Sequence, residues 1–182
     1  MFYKSKNKEN KIYIWLYPMN HKRNINSPEE ILWSSNLGKK RSIEYLKSRS
    51  ALRISLSYLF NINPLEIPIF SKPGEVPFLD VDLGHISISH CKDSIMIGWS
   101  QNEIGIDIER KDRKFNFDLL LEKVFSKSEI NFLNNYNYEN EKLILGWTSK
   151  ESAVKWEKKS IFPNLNNWLW DQNQKEILNI KT

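Results

Sequence analysis

The chain has 182 residues, enough for one large domain or two small halves sharing a core. Hydrophobic residues make up 40% of it, which excludes global disorder, and no apolar run approaches the ~20 residues that span a bilayer. The net charge of +5 points to an anionic partner, and a single cysteine, Cys91, excludes an internal disulfide and points to a reducing compartment, the cytoplasm.

Residues 1–10 are rich in charge. Lys11 to Tyr17 then alternates Ile12, Ile14 and Leu16 against Tyr13, Trp15 and Tyr17, the period of a strand, and Pro18 closes it. Ser27-Pro28-Glu29-Glu30 predicts a helix start: Ser at the cap, Pro at the first position, Glu at the third to complete a capping box. Trp33 and Leu37 fall on the core face of that helix. A long basic helix follows from about Lys39 to Phe60, with Ile43, Leu46, Ser50 and Ile54 at helical spacing. Lys39, Lys40, Arg41 and Lys47 read as a solvated face. Arg49 and Arg53 lie one turn apart and are spaced to share one phosphate.

Pro64, Pro68, Pro73 and Pro77 break the next stretch, with a short strand at Ile67 to Phe70. His85 to His90 alternates again and puts Ser87 and Ser89 on one face. Ser94 to Ser100 is the next strand, and Ile104 to Arg110 forms an antiparallel hairpin with it. Phe117 to Val124 is a short helix, and Ser126-Lys127-Ser128-Glu129 is a second capping box that opens another. The last long helix runs from about Glu139 to Lys158. On it Trp147, Glu151 and Lys155 share one face, while Lys150 lies about 100° around, a place for structure or for a partner. Trp168 to Trp170 and Glu176 to Ile180 read as closing strands.

Ile104-Gly105-Ile106-Asp107-Ile108-Glu109-Arg110 carries the chemistry. Three isoleucines point one way; Asp107 and Glu109 point the other. Two acids on one strand face repel unless something positive lies between them. A divalent cation with oxygen ligands answers this, and Mg²⁺ takes one or two carboxylates plus phosphate oxygens. A solvated edge strand answers it equally well. Gly105 leaves room for a ligand or a backbone to approach.

Three elements then resemble one family: Gly105-Ile-Asp107-Ile-Glu109, Ile88-Ser89-His90 before it, and Trp147-Thr-Ser-Lys150-Glu151-Ser-Ala-Val-Lys155 after it. Together they are similar to the 4′-phosphopantetheinyl transferases, in particular the larger, monomeric class typified by the surfactin-synthetase activator. Ser48-Arg49-Ser-Ala-Leu52-Arg53 resembles that family's S-R-x-x-L-R helix. Its Gly-Lys-Pro element, whose lysine touches a phosphate, has two candidates here: Ser71-Lys72-Pro73, and Glu75-Val76-Pro77, which spacing to His90 favours but which lacks the lysine.

The resemblance implies an α+β fold of two similar halves related by a pseudo-twofold axis, each a long helix on a small antiparallel sheet. The halves are expected at residues 1–90 and 91–182, with coenzyme A between them. It implies transfer of the 4′-phosphopantetheine arm to a serine of an apo acyl or peptidyl carrier protein. Asp107, Glu109 and Glu151 would hold Mg²⁺ or Mn²⁺, and Lys155 would stabilise the leaving group. Glu151 is the first candidate for the base. Arg49 and Arg53 would hold the 3′-phosphate, and Lys72, Ser89 and His90 would contact phosphates. Lys123, Lys127 and Lys150 are candidates to steer an acidic carrier, with Phe115, Phe117 and Phe125 as the apolar alternative. The rival readings are a metal-dependent nuclease built on Asp107, Glu109 and Lys111, and a non-enzymatic nucleic-acid or anion-binding module.

Overall fold

Two hydrophobic cores organise the chain, each under one long helix. The computed structural model describes residues 11–114, 117–135, 139–171 and 176–180. Residues 1–10 and Phe115 lie outside them, as does the side chain of Phe117. The elements are β1 (Ile12–Pro18), α1 (Pro28–Ser35), α2 (Lys39–Phe60), β2 (His85–His90), β3 (Ser94–Ser100), α3 (Phe117–Val124), α4 (Lys127–Asn135), α5 (Asn140–Trp156), β4 (Trp168–Asp171) and β5 (Glu176–Asn179). The fold is α+β. No helix among the described residues is long and apolar enough to cross a membrane.

The first core joins α2 to an antiparallel sheet of order β1-β3-β2. Ala51, Leu52 and Leu56 of α2 meet Ile86, Ile95, Ile97 and Trp99 of the sheet. The aromatic face of β1 is the inward one. Trp15 and Tyr17 pack on this core, and Ile12, Ile14 and Leu16 are exposed. The division expected at residue 90 falls between β2 and β3, and the first core continues across it to Trp99. The middle of α2 is buried on every side, from Ser48 to Leu56, because segment 21–37 covers the face opposite the sheet. Ser50 Oγ accepts from the Ile25 amide, and Asn26 donates to the Leu46 carbonyl. The predicted stripe therefore holds only in part: Ile54 is buried, but Ile43 is exposed.

The first capping box forms as expected. Glu30 takes the Ser27 amide and Ser27 takes the Glu30 amide, which fixes the start of α1. Leu37 lies just past the end of that helix.

The second core joins α5 to the β4–β5 hairpin, with Val124, Phe125 and Leu133 filling in from α3, α4 and the link between them. The closing strands are where the sequence places them. The Ser126–Glu129 capping box is present too.

Residues 104–110 differ from expectation. They join no ladder among the described residues, and β3 pairs with β1 and β2 instead. The stretch lies across a face of the first sheet, not along its edge. Ile104 and Ile106 lie over Gly98 of β3. The amides of Ile106 and Ile108 go to the hydroxyls of Ser87 and Ser89, which substitute for a strand partner. On its other side the stretch presses on α5. A Cβ at Gly105 would lie 2.0 Å from the Ser152 carbonyl oxygen and 2.4 Å from the Trp156 nitrogen. Only glycine lets the backbone come this close. The room that Gly105 leaves is taken by a helix backbone, and this clamps the first half of the chain to the second.

Candidate active site

The Gly105 contact sets Asp107 opposite the face of α5 that carries Glu151 and Lys155. Lys155 Nζ donates to Asp107 Oδ1 at 2.6 Å and to Ser89 Oγ at 3.1 Å. Ser89 donates its own proton to the same Oδ1 at 2.6 Å. Ser89 is buried and already accepts from Ile108, and its hydroxyl holds Asp107 in place.

Glu151 lies 3.8 Å from Lys155 Nζ. Burial first, then the charge of Asp107, push its carboxyl up to about 7, against the pull of Lys155. Asp107 Oδ2 is buried and receives no hydrogen bond from the described residues while Glu151 is ionised. This oxygen and the neighbouring Glu151 carboxylate need a proton or a cation between them. The donor set is hard oxygen, as Mg²⁺ or Mn²⁺ requires, so the residues fit a divalent metal.

Glu109 departs from the expected trio. It pairs with Arg113 and lines a separate hollow of about 370 Å³ with Cys91, Lys92, Arg110 and Asp112. Among the described residues, no group of three His, Cys, Asp or Glu side chains is gathered as a metal site.

A cleft of about 710 Å³ opens on the other side of β2. Strand alternation explains how β2 serves both places: Ser89 points to the acid cluster, and His90 points into the cleft. The cleft wall lowers the His90 pKa by desolvation, although much of the residue faces solvent. Arg49 lines the cleft from α2. Ser71 holds its Nη2 through both carbonyl and hydroxyl, and Tyr45 lies under the guanidinium, 5.1 Å from ring centre to Cζ. Its Nη1 is buried without a partner among the described residues, and burial lowers its pKa.

Lys72, Pro73 and Pro77 line the same cleft, so the lysine-bearing candidate does reach it. The loop is pinned at Phe70–Phe78 and closed by a turn in which Glu75 accepts the Lys72 amide. Gly74 supplies the φ of +91° that this turn needs.

Three expected residues go elsewhere. Arg53 is buried and bidentate to Glu30 at 2.9 and 3.1 Å, and it also donates to the carbonyls of Pro64 and Ile67. It ties α2 to α1 and cannot share a phosphate with Arg49. Lys150 is fully buried and paired with Glu129 at 2.8 Å, so it cannot meet a carrier. Phe125 is in the second core. Lys123 and Lys127 are exposed.

Conversely, Lys39, Lys40 and Arg41 line the cleft although sequence reasoning assigned them to solvent. A signal was present: the first turn of α2 has no acidic residue and no side-chain cap. Basic residues at an uncapped helix start reverse the usual charge preference.

The comparisons bear on this geometry. Residues 103–181, which hold Asp107, Glu151 and Lys155, match the family model of the 4′-phosphopantetheinyl transferase superfamily. The chain is also similar to the 4′-phosphopantetheinyl transferase gsp of Aneurinibacillus migulanus, 29% identical over 160 residues. That alignment covers 80% of this chain and 66% of the relative's length. The matched segment supplies the acid cluster, while the cleft residues Arg49, Lys72 and His90 come from the chain before it.

Proposed function

We propose that this protein transfers the 4′-phosphopantetheine arm of coenzyme A to a serine hydroxyl of an apo carrier protein, releasing adenosine 3′,5′-bisphosphate. One observation carries the reading. The Asp107–Glu151–Lys155 cluster and the basic cleft back onto the same strand, through Ser89 and His90. A nucleotide held in the cleft by phosphates thus ends beside acids and a lysine suited to phosphoryl transfer.

Arg49, whose Nη1 has no partner among the described residues, binds the 3′-phosphate by charge-assisted hydrogen bonds. Lys72 and His90 contact the other phosphates from opposite walls of the cleft. Glu151, its carboxyl near neutrality, takes the serine proton. The serine oxygen then bonds to the β-phosphorus, and the bond from that phosphorus to the bridging oxygen breaks. Lys155 stabilises the charge on the departing group. Asp107 and Glu151, with Glu109 as a third ligand, would hold Mg²⁺ or Mn²⁺, which when bound offsets charge building on the bridging oxygens. Asp107 and Ser89 keep Lys155 in place.

Both walls of the cleft come from one chain, which supports a monomeric catalyst. The single cysteine supports the cytoplasm as its compartment. The carrier is an acidic acyl or peptidyl carrier protein, and exposed Lys123 and Lys127 steer it. Mass spectrometry of several apo carriers, incubated with the protein, coenzyme A and Mg²⁺, tests the reading. One carrier should gain a phosphopantetheine group, and the gain should stop with chelator. If no carrier is modified but DNA binds with strong salt dependence, an anion-binding module replaces this reading.

A further inference from the structure

The acid cluster is not balanced by Lys155 alone. A second cation, Arg113, acts on it from the turn that follows Arg110. The Arg113 amide closes that turn on the Arg110 carbonyl at 3.1 Å. Arg110 locks the turn from below: it grips Asp112 with two nitrogens and Asp93 with a third, at 2.7 Å. Folded back this way, Arg113 pairs with Glu109 one turn-length earlier. Its guanidinium also lies over the Trp147 ring, 5.0 Å from the centroid. Trp147 is buried on α5, one helical turn before Glu151. Arg113 is thus held by a flat ring on one side and a carboxylate on the other, and its charge is felt at Glu151.

We infer that Arg113 is an internal counter-cation that holds Glu109 apart from Asp107 and Glu151, and that a divalent metal must displace it to recruit Glu109. The inference rests on the metal reading above and goes beyond it. Asp107 is matched by Lys155, and Glu109 is matched by Arg113. A metal that takes Glu109 competes with a guanidinium already in place. Removing that guanidinium frees the Glu109 carboxylate for the metal, so the metal should bind more tightly. Arg113 is a positioning residue here and touches no reacting atom.

Mn²⁺ binding followed by electron paramagnetic resonance, on the full chain without coenzyme A, tests this apart from activity. Arg113→Gln should bind Mn²⁺ three- to tenfold more tightly than the wild type. Arg113→Lys keeps the charge and should stay within twofold of it. In a Glu109→Gln background, Arg113→Gln should change the affinity by less than twofold, because the contested carboxylate is gone. Equal or weaker binding by Arg113→Gln overturns the inference. So does a gain that persists without the Glu109 carboxylate, since Arg113 would then act only through its field. A wild-type measurement needs no variant: Mg²⁺ titration should shift the Arg113 Nε–Hε resonance, and an unmoved signal overturns the displacement. If the wild type shows no saturable Mn²⁺ binding, the metal reading itself falls. Saturable binding with equal constants removes the inference alone.

Discussion

Lys150 and Lys155 stand on the same helix and reach opposite kinds of place. Lys150 is fully buried. Its ammonium donates to Glu129 and to the Val124 carbonyl, and it lies over the Phe125 ring. Glu129 is closed in turn, accepting from the amides of Ser126 and Trp170. Lys155 keeps 22% of its side chain exposed and donates to Asp107 and Ser89, with Glu151 farther off at 3.8 Å. One buried oxygen of Asp107 is left over, and Glu151 is pushed toward its protonated form. Charge type and helix are the same, and the leftover acceptors make the difference. Where every lone pair is matched, an ion pair builds structure; where some are not, the place is ready for a proton, a metal or a phosphate.

Breaking the closed pair should have the largest effect on the fold. Lys150→Ala leaves Glu129 charged in the core, which costs about 3–5 kcal/mol. At roughly 2–4 °C per kcal/mol for a chain of this size, the thermal midpoint should fall by about 6–20 °C. Circular dichroism melts measure it, and a midpoint within about 2 °C of wild type would mean that Lys150 is not the tie holding Glu129.

Breaking the open cluster should spare the fold and stop the chemistry. Lys155→Ala should lower the rate of carrier modification by about 10²–10³, the scale of one lost charge stabiliser. Its thermal midpoint should move far less than that of Lys150→Ala, because Lys155 is partly solvated. If the two variants lose stability equally and retain the same rate, the contrast between the pairs fails.

The same contrast separates Arg49 from Arg53. Arg53 uses its donors on Glu30 and two carbonyls, whereas Arg49 keeps a buried Nη1 without a partner among the described residues. A charge-assisted hydrogen bond is worth about 1.5–3 kcal/mol. Arg49→Ala should therefore weaken coenzyme A by about tenfold or more in calorimetry. Dephospho-coenzyme A, which lacks the 3′-phosphate, should lose less than about threefold. Equal losses for both would assign Arg49 to folding.

These pairs show what the residues disclosed and what they hid. The capping boxes at Ser27 and Ser126 were legible because both partners lie within four residues. Asp107, Glu151 and Lys155 were legible because strand and helix periods fix which side chains share a face. The pairing of residues 104–110 was not. Alternation reports an extended backbone but not its partner, and here two serine hydroxyls occupy the place of a ladder. Nor does spacing show that Arg53 meets Glu30 or Lys150 meets Glu129. Both partners come from other helices, so the donors of a single helix face divide between core and site only on folding. Lys39, Lys40 and Arg41 looked like solvated charge because the opposite wall of their cleft, at Lys72 to Pro77, arrives from more than thirty residues away.

The smallest expected effect concerns the open cluster in metal-free buffer. Asp107 and Lys155 face Glu151 directly, and Arg113 acts on it from the Glu109 side. Burial and Asp107 together raise the Glu151 carboxyl from the ordinary 4.5 to about 7. Between those two values the folded protein holds more protons than the unfolded chain, so stability falls as pH rises through that window. Below it, both states are protonated at this carboxyl and the loss disappears. Glu151→Gln carries a permanent hydrogen-bond donor for Asp107 Oδ2 and no charge. In chelator-treated buffer this variant should melt a few degrees above wild type at pH 7.5, at the ~2–4 °C per kcal/mol of a chain this size. The two should converge near pH 4.5. If wild type and Glu151→Gln keep a constant gap from pH 4.5 to 7.5, Glu151 is ionised throughout, and the cluster is as closed as the Lys150 pair.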